Sequence, residues 1–126
     1  MQQFDPMVTR ATADVFVERA SIELSKLLQE LASALAPFPY FMDINSIQAV
    51  ELEPSGANTR AHGCIVVCPD GELYELVLRI IPGPLASGGT EQIGEMRKLE
   101  LPHGDYVAYA HAAIVKLVTI MEERTS

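Results

Sequence analysis

The stretch RAHGCIVVCPDGELYELVLRI, residues 60–80, constrains the fold of this chain more than any other. Two runs rich in β-branched residues, leucine and tyrosine flank Pro69, Asp70 and Gly71. Pro69 and Asp70 suit the central positions of a type I turn, and Gly71 supplies the left-handed residue that closes a three-residue hairpin loop with a bulge. Strands over 60–68 and 72–81 follow, and the turn sets their register. On one side Val66 faces Tyr74, Cys64 faces Leu76 and His62 faces Leu78. On the other, Val67 faces Leu73, Ile65 faces Glu75, Gly63 faces Val77 and Ala61 faces Arg79.

Helices bracket this hairpin. Over residues 12–36, Phe16, Ala20, Leu24, Leu27, Leu28, Leu31 and Leu35 recur at three- and four-residue steps and predict one apolar stripe. Thr12 with Asp14 marks the expected start, which leaves 1–10 as a flexible N-terminal segment. Pro37 and Pro39 end the helix, because each disfavours helical geometry in the residue before it. PFPYFMD, residues 37–43, is aromatic-rich for a linker and is expected to fold back as a packed corner; an exposed docking patch is the other reading. SIQAVELE, residues 46–53, alternates Val50 and Leu52 against Glu51 and Glu53, as a strand with one buried face does. Residues 82–90 are too rich in Gly and Pro to be regular. IGEMRKLE, residues 93–100, reads as a charged edge strand, with a short helix as the rival. Pro102 or Asp105 then opens a helix to about Glu123, striped by Tyr106, Val107, Ala110, Ile114, Leu117, Val118 and Met121. The expected fold is α+β: one domain over 1–126, an antiparallel β-meander of about four strands in sequence order, packed by N-terminal and C-terminal helices.

The charge balance narrows the partners. Nine basic residues against 17 acidic ones give a formal net charge of −8. No basic cluster offsets it locally, so neither nucleic acid nor an anionic membrane surface is an expected partner. No apolar stretch approaches the roughly 20 residues of a spanning helix. The N-terminus lacks a basic region followed by an apolar run, and two cysteines without a secretory signal point to a reducing cytoplasm.

Candidate chemistry is sparse. Strand geometry puts Cys64 and Cys68 on one face with Cα atoms roughly 13 Å apart, too far for a disulfide or a shared metal. His62 and Cys64 alone do not make a zinc site. Both thiols are expected to act as small core hydrophobes, with no metal and no cofactor. His111 has no carboxylate three or four residues away on its helix. PHGDY, residues 102–106, gathers His103, Asp105 and Tyr106 at a helix start, where Asp105 suits a capping role. No P-loop, nucleophile elbow or His-Glu-x-x-His pattern occurs.

Association is the remaining clue. The hairpin carries apolar side chains on both faces, and the last helix has Tyr109, Ala112, Ala113, Val115 and Ile120 off its main stripe. The sequence therefore predicts a non-catalytic homodimer that binds a protein or peptide partner, with Ile65, Val67, Leu73 and Val77 as its interface. An acidic chain of this kind favours a basic partner. The competing expectation is a small-molecule-binding protein or enzyme, with a pocket between sheet and helices using His62, His103, Asp105, Tyr106 and His111. That reading requires the imidazoles to converge.

Overall fold

The computed structural model describes residues 4–41, 47–52, 64–82 and 90–125, with side chains omitted for strand residues 78–82 and 90–94. Its elements in chain order are α1 (Pro6–Ala34), β1 (Val50–Glu51), β2 (Cys64–Val67), β3 (Leu73–Pro82), β4 (Thr90–Lys98) and α2 (His103–Thr125). The strands form one antiparallel sheet in the order β1-β2-β3-β4. This is the expected α+β meander with a helix at each end.

The turn sets the register as its chemistry requires. Gly71 has a φ of 77°, its N–H donates to the Cys68 carbonyl at 2.9 Å, and the Cys68 N–H donates to the Glu72 carbonyl at 3.1 Å. Cys64 then pairs with Leu76, Ile65 with Glu75, Val66 with Tyr74 and Val67 with Leu73. The expected pairs of Ala61, His62 and Gly63 lie outside the described residues. Asp70 secures the loop: one carboxylate oxygen accepts the Glu72 N–H at 2.9 Å, the other the Tyr74 hydroxyl at 2.6 Å. The loop also presses on α1. A Cβ on Gly71 would stand 2.5 Å from the Gln29 Cα, and the Gln29 amide donates to the Glu72 carboxylate at 3.1 Å.

On each face of the sheet, described side chains are buried from within the chain. Ile65, Val67, Leu73, Val50 and Leu52 pack with Leu28, Ala32, Leu35 and Phe38, and with Tyr109, Ala110, Ala113 and Leu117 of α2. Val66, Cys68 and Leu76, on the opposite face, pack with Phe41 and Ala49. The aromatic corner thus sends Phe38 to one core and Phe41 to the other, leaving Tyr40 exposed. The Phe41 N–H donates to the Ile47 carbonyl and the Ala49 N–H to the Pro39 carbonyl, which ties the corner to β1.

Strand β1 is Val50–Glu51 where a strand over 46–53 is expected, and two further boundaries and one buried face also differ. Helix α1 begins at Pro6, not Thr12, because Asp5 is the better cap: it accepts the Met7 and Val8 N–H groups at 2.9 and 3.4 Å, and Pro6 takes the first helical position. Thr12 lies inside the helix and donates to the Val8 carbonyl. Strand β4 starts at Thr90 rather than 93, so β3 and β4 make a longer ribbon. The buried face of α2 is rotated from the predicted stripe. Tyr109 and Ala113 are in the core, whereas Val118 is exposed. Small Ala110 and Ala113 let α2 approach closely, and the Tyr109 ring fills the space beside them.

Candidate interaction surface

Among the described residues, the polar groups expected to line a pocket do not converge. His103 opens α2, exposed, with Nδ1 3.3 Å from the Ser21 hydroxyl of α1. Asp105 is exposed in the first turn of α2, where the Tyr106 N–H bonds the Pro102 carbonyl. Tyr106 is half-buried against the helix-side core. His111 is exposed and lies eight residues beyond His103, about 12 Å along the axis. His62 lies outside the described residues. A recess of about 210 Å³ is lined by Tyr40, Phe41, Val50, Glu51 and Ile120 and others, but by none of these four α2 residues. Its volume falls below the roughly 300–1,000 Å³ of small-molecule sites.

The thiols are insulated. The Cys64 thiol donates to the Glu51 carboxylate at 3.3 Å, and burial and that acid push its pKa up to about 11. Burial, with Asp70 nearby, holds the Cys68 thiol up to about 12; its Sγ lies 3.8 Å from the Met96 sulfur. At neutral pH both are protonated, and a protonated thiol is a poor nucleophile and metal ligand. Among the described residues no group of three or more His, Cys, Asp or Glu is placed to hold a metal. No helix among them is long and apolar enough to cross a membrane.

The interface expected on the sheet is internal. Ile65, Val67 and Leu73 are buried beneath the two helices of the same chain, and Val77 is half-buried. Alternation along the hairpin showed that both faces are apolar. It did not show which face the helices would take, nor that the PFPYF corner would cover the other. At the sheet edge, β4 shows Glu95, Met96, Arg97 and Lys98 to solvent. The Arg97–Glu95 pair at 3.4 Å and the Lys98–Glu72 pair at 3.8 Å keep that edge charged, which discourages strand addition.

The exposed apolar surface lies elsewhere, on α1. Ser21 meets His103 at the start of α2, and Ile120 near its end shares a recess with Pro39–Phe41, just past α1. The two helices therefore run the same way, and α1 overshoots the start of α2. Residues 6–19 are all exposed. They form an arm about 21 Å long. Along it Val8, Ala11 and Val15 repeat at steps of three and four, with Ile22 seven further on, the spacing of a coiled-coil seam. Val8, Val15 and Ile22 are 61%, 50% and 49% exposed, and Phe4, just before the Asp5 cap, is 76% exposed. This seam lies roughly 140° around the helix from the face buried by Leu24, Leu28, Ala32 and Leu35. Met7 borders it, and Phe16, placed by sequence in the core stripe, lies off both faces at 60% exposure. The seam falls partly within the expected N-terminal tail, 1–10, and on a different side of the helix from the expected single stripe. The heptad spacing was the available signal.

No protein-family model, curated protein or solved structure matches the chain.

Proposed function

We propose that the chain is a non-catalytic homodimeric protein-interaction module, and that the α1 arm is its surface of association. The observation that carries this reading is the heptad-spaced apolar seam on an exposed helix segment that no described residue outside it packs. An isolated helix of fewer than about 12–15 residues is marginal in water, and most helical stability comes from burying an apolar face. Burying Val8, Val15, Ile22 and Phe4 in a second helix supplies that stability. The two free, protonated thiols are in keeping with a reducing compartment such as the cytoplasm. The acidic net charge favours basic protein or peptide partners over nucleic acid for any further contact.

Sedimentation velocity of the wild type and of Val15→Glu tests the reading. The wild type should sediment as a dimer at tens of micromolar, and Val15→Glu as a monomer that keeps the cooperative thermal transition of the folded body. A wild type that stays monomeric across that range, or a dimer indifferent to the substitution, removes the arm as the surface of association.

A further inference from the structure

We infer that the recess at the β1 edge of the sheet receives an extended peptide segment through one lysine: the segment's backbone bonds the outward groups of Glu51, and the ammonium meets the Glu51 carboxylate. The inference rests on the reading of the chain as a protein-interaction module that favours basic partners.

The backbone supplies the first feature. The Leu52 N–H donates to the Ile65 carbonyl, and Val50 pairs with Val67 in the same ladder. Hydrogen-bonded and non-bonded pairs alternate between antiparallel strands, so Glu51, opposite Val66, turns its own N–H and C=O away from β2. The aromatic corner runs beside this outer edge, where the Ala49 N–H donates to the Pro39 carbonyl, but its pairing stops there. Among the described residues nothing bonds the outward groups of Glu51. The recess of about 210 Å³ opens at that point, between Pro39, Tyr40, Glu51 and Ile120. An unpaired edge beside a pocket is what an added peptide strand uses: main-chain bonds hold it, and the pocket selects a side chain.

Charge selects the side chain. Glu51 is exposed, and among the described residues no Lys or Arg pairs with it, in a chain of net charge −8. One of its carboxylate oxygens accepts the Cys64 thiol at 3.3 Å, and the other has no described partner. A guanidinium fork wants two matched oxygens, whereas an ammonium is a point charge that one oxygen serves. The apolar stem of a lysine suits Ile120 and Pro39, and the exposed Tyr40 offers an aromatic ring to the cation.

Two acetylated and amidated pentapeptides, Gly-Val-Lys-Val-Gly and the same peptide with norleucine for lysine, test this. Each is titrated into the millimolar range against nitrogen-15-labelled full chain, wild type and Glu51→Gln, with amide shifts as readout. Glutamine keeps an acceptor for the Cys64 thiol and removes only the charge. The lysine peptide should shift the amides of Tyr40, Glu51 and Ile120 saturably, and bind wild type about two- to five-fold more tightly than the norleucine peptide does. Against Glu51→Gln the two peptides should bind equally. Absence of saturable shifts at Glu51, equal binding of both peptides to wild type, or a lysine preference that survives Glu51→Gln would each overturn the inference. Shifts at Glu51 that follow protein concentration without peptide would also overturn it, by seating a second copy in the recess. Sedimentation of the same samples separates this from the arm. A monomer that binds the lysine peptide keeps the recess and removes the arm; a dimer that does not bind it keeps the arm and removes the recess.

Discussion

Residues 6–19 and 21–34 belong to one helix, and each segment holds seven apolar side chains in fourteen, yet only the second buries any of them, with Leu28 and Ala32 buried and Leu24 and Leu31 half-buried. Composition therefore does not decide their fates; position against the rest of the fold does. From Ser21 onward the helix lies on α2 and the sheet, and its 21-24-28-32-35 face closes the core. Before Ser21 no described element of the chain lies alongside, and the apolar residues follow a seam on a different side. The same residue types serve an internal contact in one half and an external one in the other.

The largest expected effect sharpens that contrast. Leu28 is fully buried, so Leu28→Asp places an unpaired charge in the core at a cost of several kcal/mol and should abolish the thermal transition. Leu117→Asp should do the same from α2. Val15→Asp, chemically the same kind of change, should leave the melting of the fold intact. If Val15→Asp also unfolds the chain, the two halves are not distinct.

Alkaline pH acts on the body alone. The thiols ionise near 9.0 in the unfolded chain but are held neutral to about 11 at Cys64 and about 12 at Cys68 in the folded one. Their contribution is complete below pH 9. Above it the unfolded chain releases protons that the folded chain keeps, so stability declines across pH 9 to 12. Tyr74, held up to about 12 by its bond to Asp70, adds to the decline above pH 10. Melting followed from pH 8 to pH 10.5 should show this fall, and Cys64→Ala/Cys68→Ala should flatten it in part. An identical slope in the double variant would exclude the thiols as its source.

A comparable effect is expected where the hairpin loop meets α1. Gly71→Ala forces a side chain into a left-handed φ and against the Gln29 backbone, a loss of about 1–3 kcal/mol in chemical denaturation. Cys68→Ala, which removes buried sulfur with no metal behind it, should cost about 1–2 kcal/mol, with chelators lacking any effect. About one zinc per chain in elemental analysis would contradict that. The smallest change is at the arm: Asp5→Ala loses the cap, worth about 1 kcal/mol, and should lower helix content while the core melts as before.

Much of the body was legible in advance because local chemistry and global fold agree there. The Pro69-Asp70-Gly71 turn specifies its own register, and Val50, Glu51 and Leu52 alternate as a half-buried strand must. What was not legible depends on tertiary choice. Tyr109 and Ala113 enter the core because α2 rolls to let small residues approach, and periodicity alone permits either rotation. Ile65, Val67 and Leu73 lie under the helices rather than in an outer interface, and two apolar sheet faces look alike in sequence until the helices take one. The seam on α1 is written in the heptad spacing from Val8 to Ile22, but two apolar faces on one helix blur each other in a single-stripe reading.

Hydrogen exchange at several protein concentrations tests the contrast between the two halves most directly. Amides of residues 21–34 should be protected to the same degree from one to one hundred micromolar, since their cover is internal. Amides of residues 6–19 should be weakly protected at the low end and gain protection as concentration rises, since their cover is a second copy. Protection of 6–19 that does not change with concentration would contradict the account.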